Sequence, residues 1–214
     1  MSYGKLRPAK LCPRQLRLAG TVLLASLGCA TGISRATAAT EETPPAATAT
    51  GPHVTPSTDV DVRYEMASPD GGPPVHQEMH WQVSSLRQRI DPENSTVYMV
   101  TSWRDHTLTV VDTLRHRRSQ MPAPGSALTL PGQVPEGSFQ RLGTDFVAGQ
   151  YCVNWRTTDQ DGRQSDACYT DDGIMVRVTQ QGRVMVQAIS VTRTPQDDAL
   201  FTIPASYPEV APAR

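Results

Sequence analysis

The sequence is short of lysine, of long apolar runs and of helix. Its only two lysines, Lys5 and Lys10, lie in the first ten residues, so arginine carries nearly all the fixed positive charge. The longest apolar stretch, Leu18 to Ala30, has 13 residues. A helix crossing a bilayer needs about 20, and no later segment comes nearer to that length. No segment carries a long amphipathic helix pattern. There is no G-x-S-x-G elbow to present a serine nucleophile and no glycine loop to cradle a phosphate. Asp171-Asp172-Gly173 sets two carboxylates side by side, but neighbouring side chains point apart, which suits a tight turn better than an acid pair. These absences argue against an enzyme, and the residues call for no cofactor.

Residues 1–38 carry an export signal in their pattern. Lys5, Arg7, Lys10, Arg14 and Arg17 form a basic start without acids, the apolar stretch follows, and Ala36-Thr37-Ala38 fits an A-x-A cleavage site. Cys29 offers a rival reading as a lipidated first residue, although Ser26 is a poor lipobox residue. Cleavage after Ala38 removes six basic residues and no acids, leaving 14 of the 20 basic residues against 21 acidic, a net charge of −7. Such a chain is a poor nucleic-acid partner. Its one basic cluster, Arg115 to Arg118, reads as a solvated strand end. Of four cysteines only Cys152 and Cys168 remain. An even pair in an oxidising compartment reads as a disulfide, and no C-x-x-C spacing points to zinc.

Residues 39–58 are rich in Thr, Ala and Pro and read as a disordered tether. Residues 59–208 alternate between apolar and polar, the mark of half-buried strands, and 209–214 resemble the tether again. The alternation gives strands from Val60 and Val75, the latter running on through Leu86 to Ile90. A hairpin follows over Thr96–Trp103 and Thr107–Leu114, then a long loop over 119–138. Two further hairpins turn at Asp161-Gly162 and Gln181-Gly182. Leu200 to Ile203 reads as a short last strand. The expected fold is mainly β: a curved antiparallel sheet of nine or ten strands, covered by the long loop or a short helix.

Register sharpens this expectation. If Cys152 stands opposite Cys168, then Tyr151 faces Tyr169, Val153 faces Ala167 and Trp155 faces Ser165. All of these share one face, with the cysteines on the other, polar face. The last hairpin puts Ile174, Val176, Val178, Val184 and Val186 on its apolar side. A slip of one residue would destroy this separation in either hairpin, so the sheet is expected to have one dry side and the disulfide an outer position. The disulfide closes about 15 residues, worth roughly 3 kcal/mol.

Two ligand chemistries follow. The dry face, lined by Tyr151, Val153, Trp155, Tyr169, Ile174, Val176, Val178, Val184 and Val186, suits a lipid or acyl chain. Alternatively, His76, Glu78 and His80 point the same way along a strand and could offer two imidazoles and a carboxylate to zinc or copper. Met66, Met79, Met99, Met175 and Met185 could join them as soft copper ligands. A third reading is an envelope scaffold or sensor that binds another protein at an exposed sheet edge.

The second half also carries a resemblance. Val147-Ala148-Gly149-Gln150-Tyr151-Cys152, Ala167-Cys168-Tyr169-Thr170-Asp171-Asp172-Gly173-Ile174-Met175-Val176-Arg177 and Ala199-Leu200-Phe201-Thr202-Ile203-Pro204-Ala205-Ser206-Tyr207 resemble the hairpin and closing motifs of exported bacterial half-barrel proteins. That group is similar to the LolA-type periplasmic lipoprotein carriers. The resemblance spans roughly residues 140–208. It implies a curved sheet under a helical lid, with an apolar cavity for acyl chains, in a periplasmic protein without catalysis. No lid helices are legible, and Ser206 stands where the pattern has glycine.

Overall fold

The alternating pattern folds into eleven strands of one antiparallel sheet. The computed structural model describes residues 51–125, 128–158 and 162–211, all within one compact unit, Ala46–Arg214. The export signal expected at 1–38, Cys29, residues 39–50 of the expected tether and the turn residues 159–161 lie outside the described residues. The strands are β1 Val60–Met66, β2 Val75–Gln82, β3 Arg87–Pro92, β4 Val97–Ser102, β5 Thr107–Asp112, β6 Arg117–Pro122, β7 Phe139–Val147, β8 Gln150–Thr158, β9 Gln164–Tyr169, β10 Met175–Gln180 and β11 Arg183–Thr192. Their order across the sheet is β6-β5-β4-β3-β2-β1-β11-β10-β9-β8-β7. The chain therefore walks outward to β6, crosses to the opposite edge at β7, and walks back until β11 lies beside β1. The sheet is open, in keeping with the half-barrel expected from the sequence.

Three expectations about elements are corrected. Leu86 to Ile90 does not continue β2: residues 83–86 turn the chain, and Leu86 takes a φ of 52°. The same four-residue turn, with a positive φ on its last residue, recurs at 103–106 and 113–116, where His106 and His116 take φ of 54° and 47°. Residues 117–122 are strand β6 rather than loop. The expected last strand is a single 3-10 turn, Asp198–Phe201, capped by the Asp197 carboxylate, which accepts from the Ala199 N–H.

Register divides the sheet into two faces. On one, which we call the tryptophan face, Met66, Val186, Val178, Ala167 and Trp155 form a rung across five strands. Val60, Val62, Met79, Trp81 and Ile90 share that face. Opposite lies the histidine face, with Asp61, Arg63, Glu65, His76, Glu78, His80, Arg89 and Asp91. The expected single dry side is also corrected, because both faces are partly covered. Residues 53–58 cross the tryptophan face as a strap. There the Trp81 indole donates to the Pro56 carbonyl (3.0 Å) and the Thr55 hydroxyl to the Thr129 carbonyl (2.6 Å). The disorder expected over 39–58 thus does not extend to 51–58. The C-terminal segment crosses the histidine face: Arg89 donates to the Leu200 carbonyl, Phe201 is buried, and residues 208–210 pair with Arg118 on β6.

The β7–β11 half curls toward its cysteine side. Arg177 on β10 and Asp145 on β7 are 2.5 Å apart, although three strand spacings would separate them by about 14 Å on a flat sheet. In register Asp145 stands opposite Cys152 and Arg177 opposite Cys168, so the ion pair and the disulfide share one patch of one face. The Phe146 N–H, the Arg177 guanidinium and Asn154 together hold the Asp145 carboxyl below its ordinary value.

Candidate functional site

The disulfide joins Cys152 and Cys168, as the sequence implies, with Cα atoms 5.5 Å apart. Its setting does not match the expected outer position. Cys152 and Cys168 are 3% and 0% exposed and belong to the main core, with Val147, Ile174 and Val176. The observed register pairs Cys168 with Asn154 and Val153 with Tyr169, two residues from the expected alignment. A shift of two preserves the face assignment, so what failed was the inference that the cysteine face is the wet one.

The proposed apolar lining is dispersed. Ile174 and Val176 are fully buried in the core, and Trp155 is buried. Val153, Tyr169, Val178 and Val186 are half-buried. Tyr151 keeps the expected face but stands beyond any cover, 82% exposed, its ring 4.9 Å from that of Phe146. Val184 is on the wrong face. An irregularity between Val178 and Thr179 sets it opposite Thr179, leaving it 44% exposed.

His76, Glu78 and His80 do not converge either. Each imidazole lies between two carboxylates, one on β1 and the other on β3 or in the turn that follows it. His80 Nδ1 lies 2.5 Å from Asp61 and its Nε2 3.6 Å from Asp91. His76 Nδ1 lies 2.8 Å from Glu93 and its Nε2 3.5 Å from Glu65. Arg63 holds Glu93, Arg89 holds Asp91, and Arg89 also stacks 3.9 Å over the Tyr98 ring. Among the described residues no group of three or more His, Cys, Asp or Glu is arranged to hold a metal. The sequence pattern ran along the strand, whereas the partners lie across it.

What the sequence did not signal is a recess of about 160 Å³ on the tryptophan face, walled by Val54, Thr55, Pro56, Met79, Trp81, Gln88, Trp103 and Leu128. Register brings Val60, Trp81 and Gln88 side by side, and the backbone bond from Trp103 to Leu86 adds the second indole on the next strand pair. The strap forms the roof. It can lie this low because Gly173 has no side chain: a Cβ there would stand 2.3 Å from the Thr55 carbonyl oxygen. The Ser57 N–H and the Thr58 hydroxyl bond to Asp172 beside it, at 2.9 and 3.2 Å. Asp172 is itself clamped by Arg193, which with Thr170 and Thr58 pulls its carboxyl down to about 2. Trp81 spends its indole N–H on the strap, while the buried Nε1 of Trp103 has no acceptor among the described residues. A larger recess of about 1040 Å³ lies between the tips of the β8–β9 and β10–β11 hairpins, but its walls are polar and Arg156 there is already paired with Asp166.

A scan against protein-family models finds no match, and a search of the curated proteins finds none. Solved structures do match in fold. An uncharacterized conserved protein from Thermus thermophilus aligns with a TM-score of 0.54 at 10% identity, over 73% of this chain and 91% of that one. At that identity the likeness concerns the fold alone. MucB aligns with a TM-score of 0.49 at 13% identity, over 72% of this chain and 60% of MucB. MucB in the Pseudomonas aeruginosa MucA/MucB complex gives 0.49 at 14%, over 70% and 57%. This chain therefore spans a little over half of MucB. Among the described residues no helix is long and apolar enough to cross a membrane.

Proposed function

We propose that this protein is an exported, non-catalytic binding protein of the cell envelope that holds a lipid or lipidated partner against the tryptophan face of its sheet. The observation that carries the reading is the recess under the strap, where two indoles, Met79, Leu128 and Val54 meet. Apolar walls with a few placed polar groups are the usual make-up of a small-molecule site. The basic, lysine-containing start with its A-x-A site supports export, and the absence of any nucleophile elbow or phosphate loop fits a role without chemistry. Of the residues first expected to line the site, Trp155, Val178 and Val186 lie farther along the same face. Metal binding is the weaker alternative, because both ring nitrogens of His76 and His80 already face carboxylates.

The test is displacement of a fluorescent fatty-acid probe from protein lacking residues 1–38, compared with a Leu128→Phe variant that fills the recess. The reading expects saturable binding that the variant weakens at least tenfold. Equal binding by both would place the ligand elsewhere, and no saturable binding by either would end the reading.

A further inference from the structure

We infer that the ligand is an amphiphile with one acyl chain and a carboxylate head, its tail in the recess and its head held by Arg115 and Arg117 at the far corner of the tryptophan face. This rests on the apolar-ligand reading above and adds the path of the chain and the chemistry of its polar end.

The recess is smaller than a lipid chain. Its volume is about 160 Å³, close to the roughly 150 Å³ engineered cavity that holds benzene, so it takes about six carbons. The acyl chain of a membrane lipid spans about 15 Å, half of the hydrocarbon core. The rest of such a chain lies outside the recess, which is open rather than sealed. One rung of the tryptophan face runs Val62, Met79, Ile90, Met99, Val110 and Ser119. Val62 and Met79 are 1% and 6% exposed, already covered, whereas Ile90, Met99 and Val110 are half-buried and keep apolar surface open. The uncovered path from the recess therefore starts beside Gln88 and crosses β3, β4 and β5.

That path ends on the basic cluster. Gln88, Thr101 and Leu108 form one rung, and Val97, Asp112 and Arg117 lie on another, four residues farther along β4 and β5. Those four residues and two strand spacings separate Gln88 from Asp112 by about 16 Å on a flat sheet, the length of one chain. Arg117 shares the tryptophan face with Asp112, and Arg115 reaches the same spot from the 113–116 turn. Asp112, 7% exposed, accepts from the Arg115 N–H at 3.0 Å and pairs with Arg115 Nη1 at 3.1 Å and Arg117 Nε at 3.3 Å. The Arg115 N–H first, and the two guanidiniums with it, hold the Asp112 carboxyl below its ordinary value. Among the described residues Asp112 is the only carboxylate paired with either arginine. Two cations against one anion leave a single positive charge, which matches a carboxylate better than a phosphate monoester with nearly two negative charges. Each guanidinium has five N–H donors, and Asp112 engages one nitrogen of each, which orients the remaining donors. They border a hollow of about 470 Å³ that Val97, Val110 and Ser119 also line. Apolar walls beside a pair of held guanidiniums suit a carboxylate on a hydrocarbon chain. An acyl chain bonded to a partner protein has no free carboxylate, so this arrangement favours a free fatty acid over a lipidated partner.

Dodecanoate and dodecanol, equal in chain and different in charge, are titrated calorimetrically below micelle formation into the purified protein and its Arg115→Gln/Arg117→Gln variant. Wild type is expected to favour dodecanoate at least tenfold, the order of a charge-assisted bond to arginine, and added salt should shrink that preference. The variant should lose the preference while binding dodecanol as wild type does. Equal binding of the two ligands by wild type would overturn the head-group assignment and leave the apolar-ligand reading standing. A preference that survives in the variant, or an equal loss of dodecanol, would overturn it in the same way. Dodecyl phosphate binding more tightly than dodecanoate would overturn the carboxylate in favour of a phosphate head. If wild type binds neither dodecanoate nor dodecanol, the proposed function falls as well.

Discussion

Gly173→Ala should destabilise this fold far more than the same change at Gly182, and the difference measures how closely the strap is seated. Both glycines have positive φ, 87° and 77°, so an alanine at either position suffers a similar left-handed penalty of about 1–2 kcal/mol. Only at Gly173 does the new Cβ meet anything. It would stand 2.3 Å from the Thr55 oxygen and 2.7 Å from its carbonyl carbon, whereas nothing lies within 4 Å at Gly182. The strap must retreat by roughly an ångström, stretching the Ser57, Thr58 and Thr55 hydrogen bonds, each worth about 1 kcal/mol. Gly173→Ala is thus expected to cost about 3–4 kcal/mol in total and Gly182→Ala about 1–2. Urea denaturation of both variants beside the wild type, followed by circular dichroism, reads the difference directly. Equal losses would mean that the strap is not seated on Gly173, and the roof over the recess would go with it.

Other consequences follow from the same geometry. Replacing Cys152 and Cys168 by alanine should lower stability by about 3 kcal/mol through loss of the loop constraint, seen as a lower urea midpoint; an unchanged midpoint would contradict the buried cross-link. The carboxyl of Asp172 is held near 2 in the folded protein, below its ordinary value in the unfolded chain. Its stabilising contribution is complete above about pH 4 and is lost as pH falls toward 2. Asp172→Asn should therefore flatten the acid limb of the stability profile between those values, and a profile parallel to wild type would refute the Arg193 clamp. Zinc or copper titration should give the same weak binding in wild type, His76→Ala and His80→Ala, because those imidazoles are committed to carboxylates; a loss of tight binding in either variant would revive the metal reading.

The fold was legible wherever a single strand or a tight turn carried the signal. Gln181-Gly182 marks the last hairpin because both residues take positive φ, 50° and 77°, as a two-residue turn requires. The turn at 83–86 was missed because its positive-φ position holds Leu86, which carries none of the usual turn chemistry. The faces of β8 and β9 were assigned correctly from alternation, but alternation does not tell which face the rest of the chain will cover. Cys168 is buried because the sheet curls toward it, and Tyr151, on the opposite face, is left exposed. The site itself was the least legible part. Its walls come from the strap, β2, β3, the 103–106 turn and the loop before β7, and they meet only once the register of β1, β2 and β3 is known. The strap reads as tether because Pro52, Thr55, Pro56 and Thr58 look like linker composition. Its order comes from hydrogen bonds to residues more than a hundred positions away.

The central claim is most directly tested by native mass spectrometry of the protein purified from its host without detergent, before and after organic extraction. The account expects an added mass from an apolar molecule, removed by extraction and absent from Leu128→Phe. A single bare mass in every preparation, joined to failure of the extracted protein to take up decanoate, would contradict it.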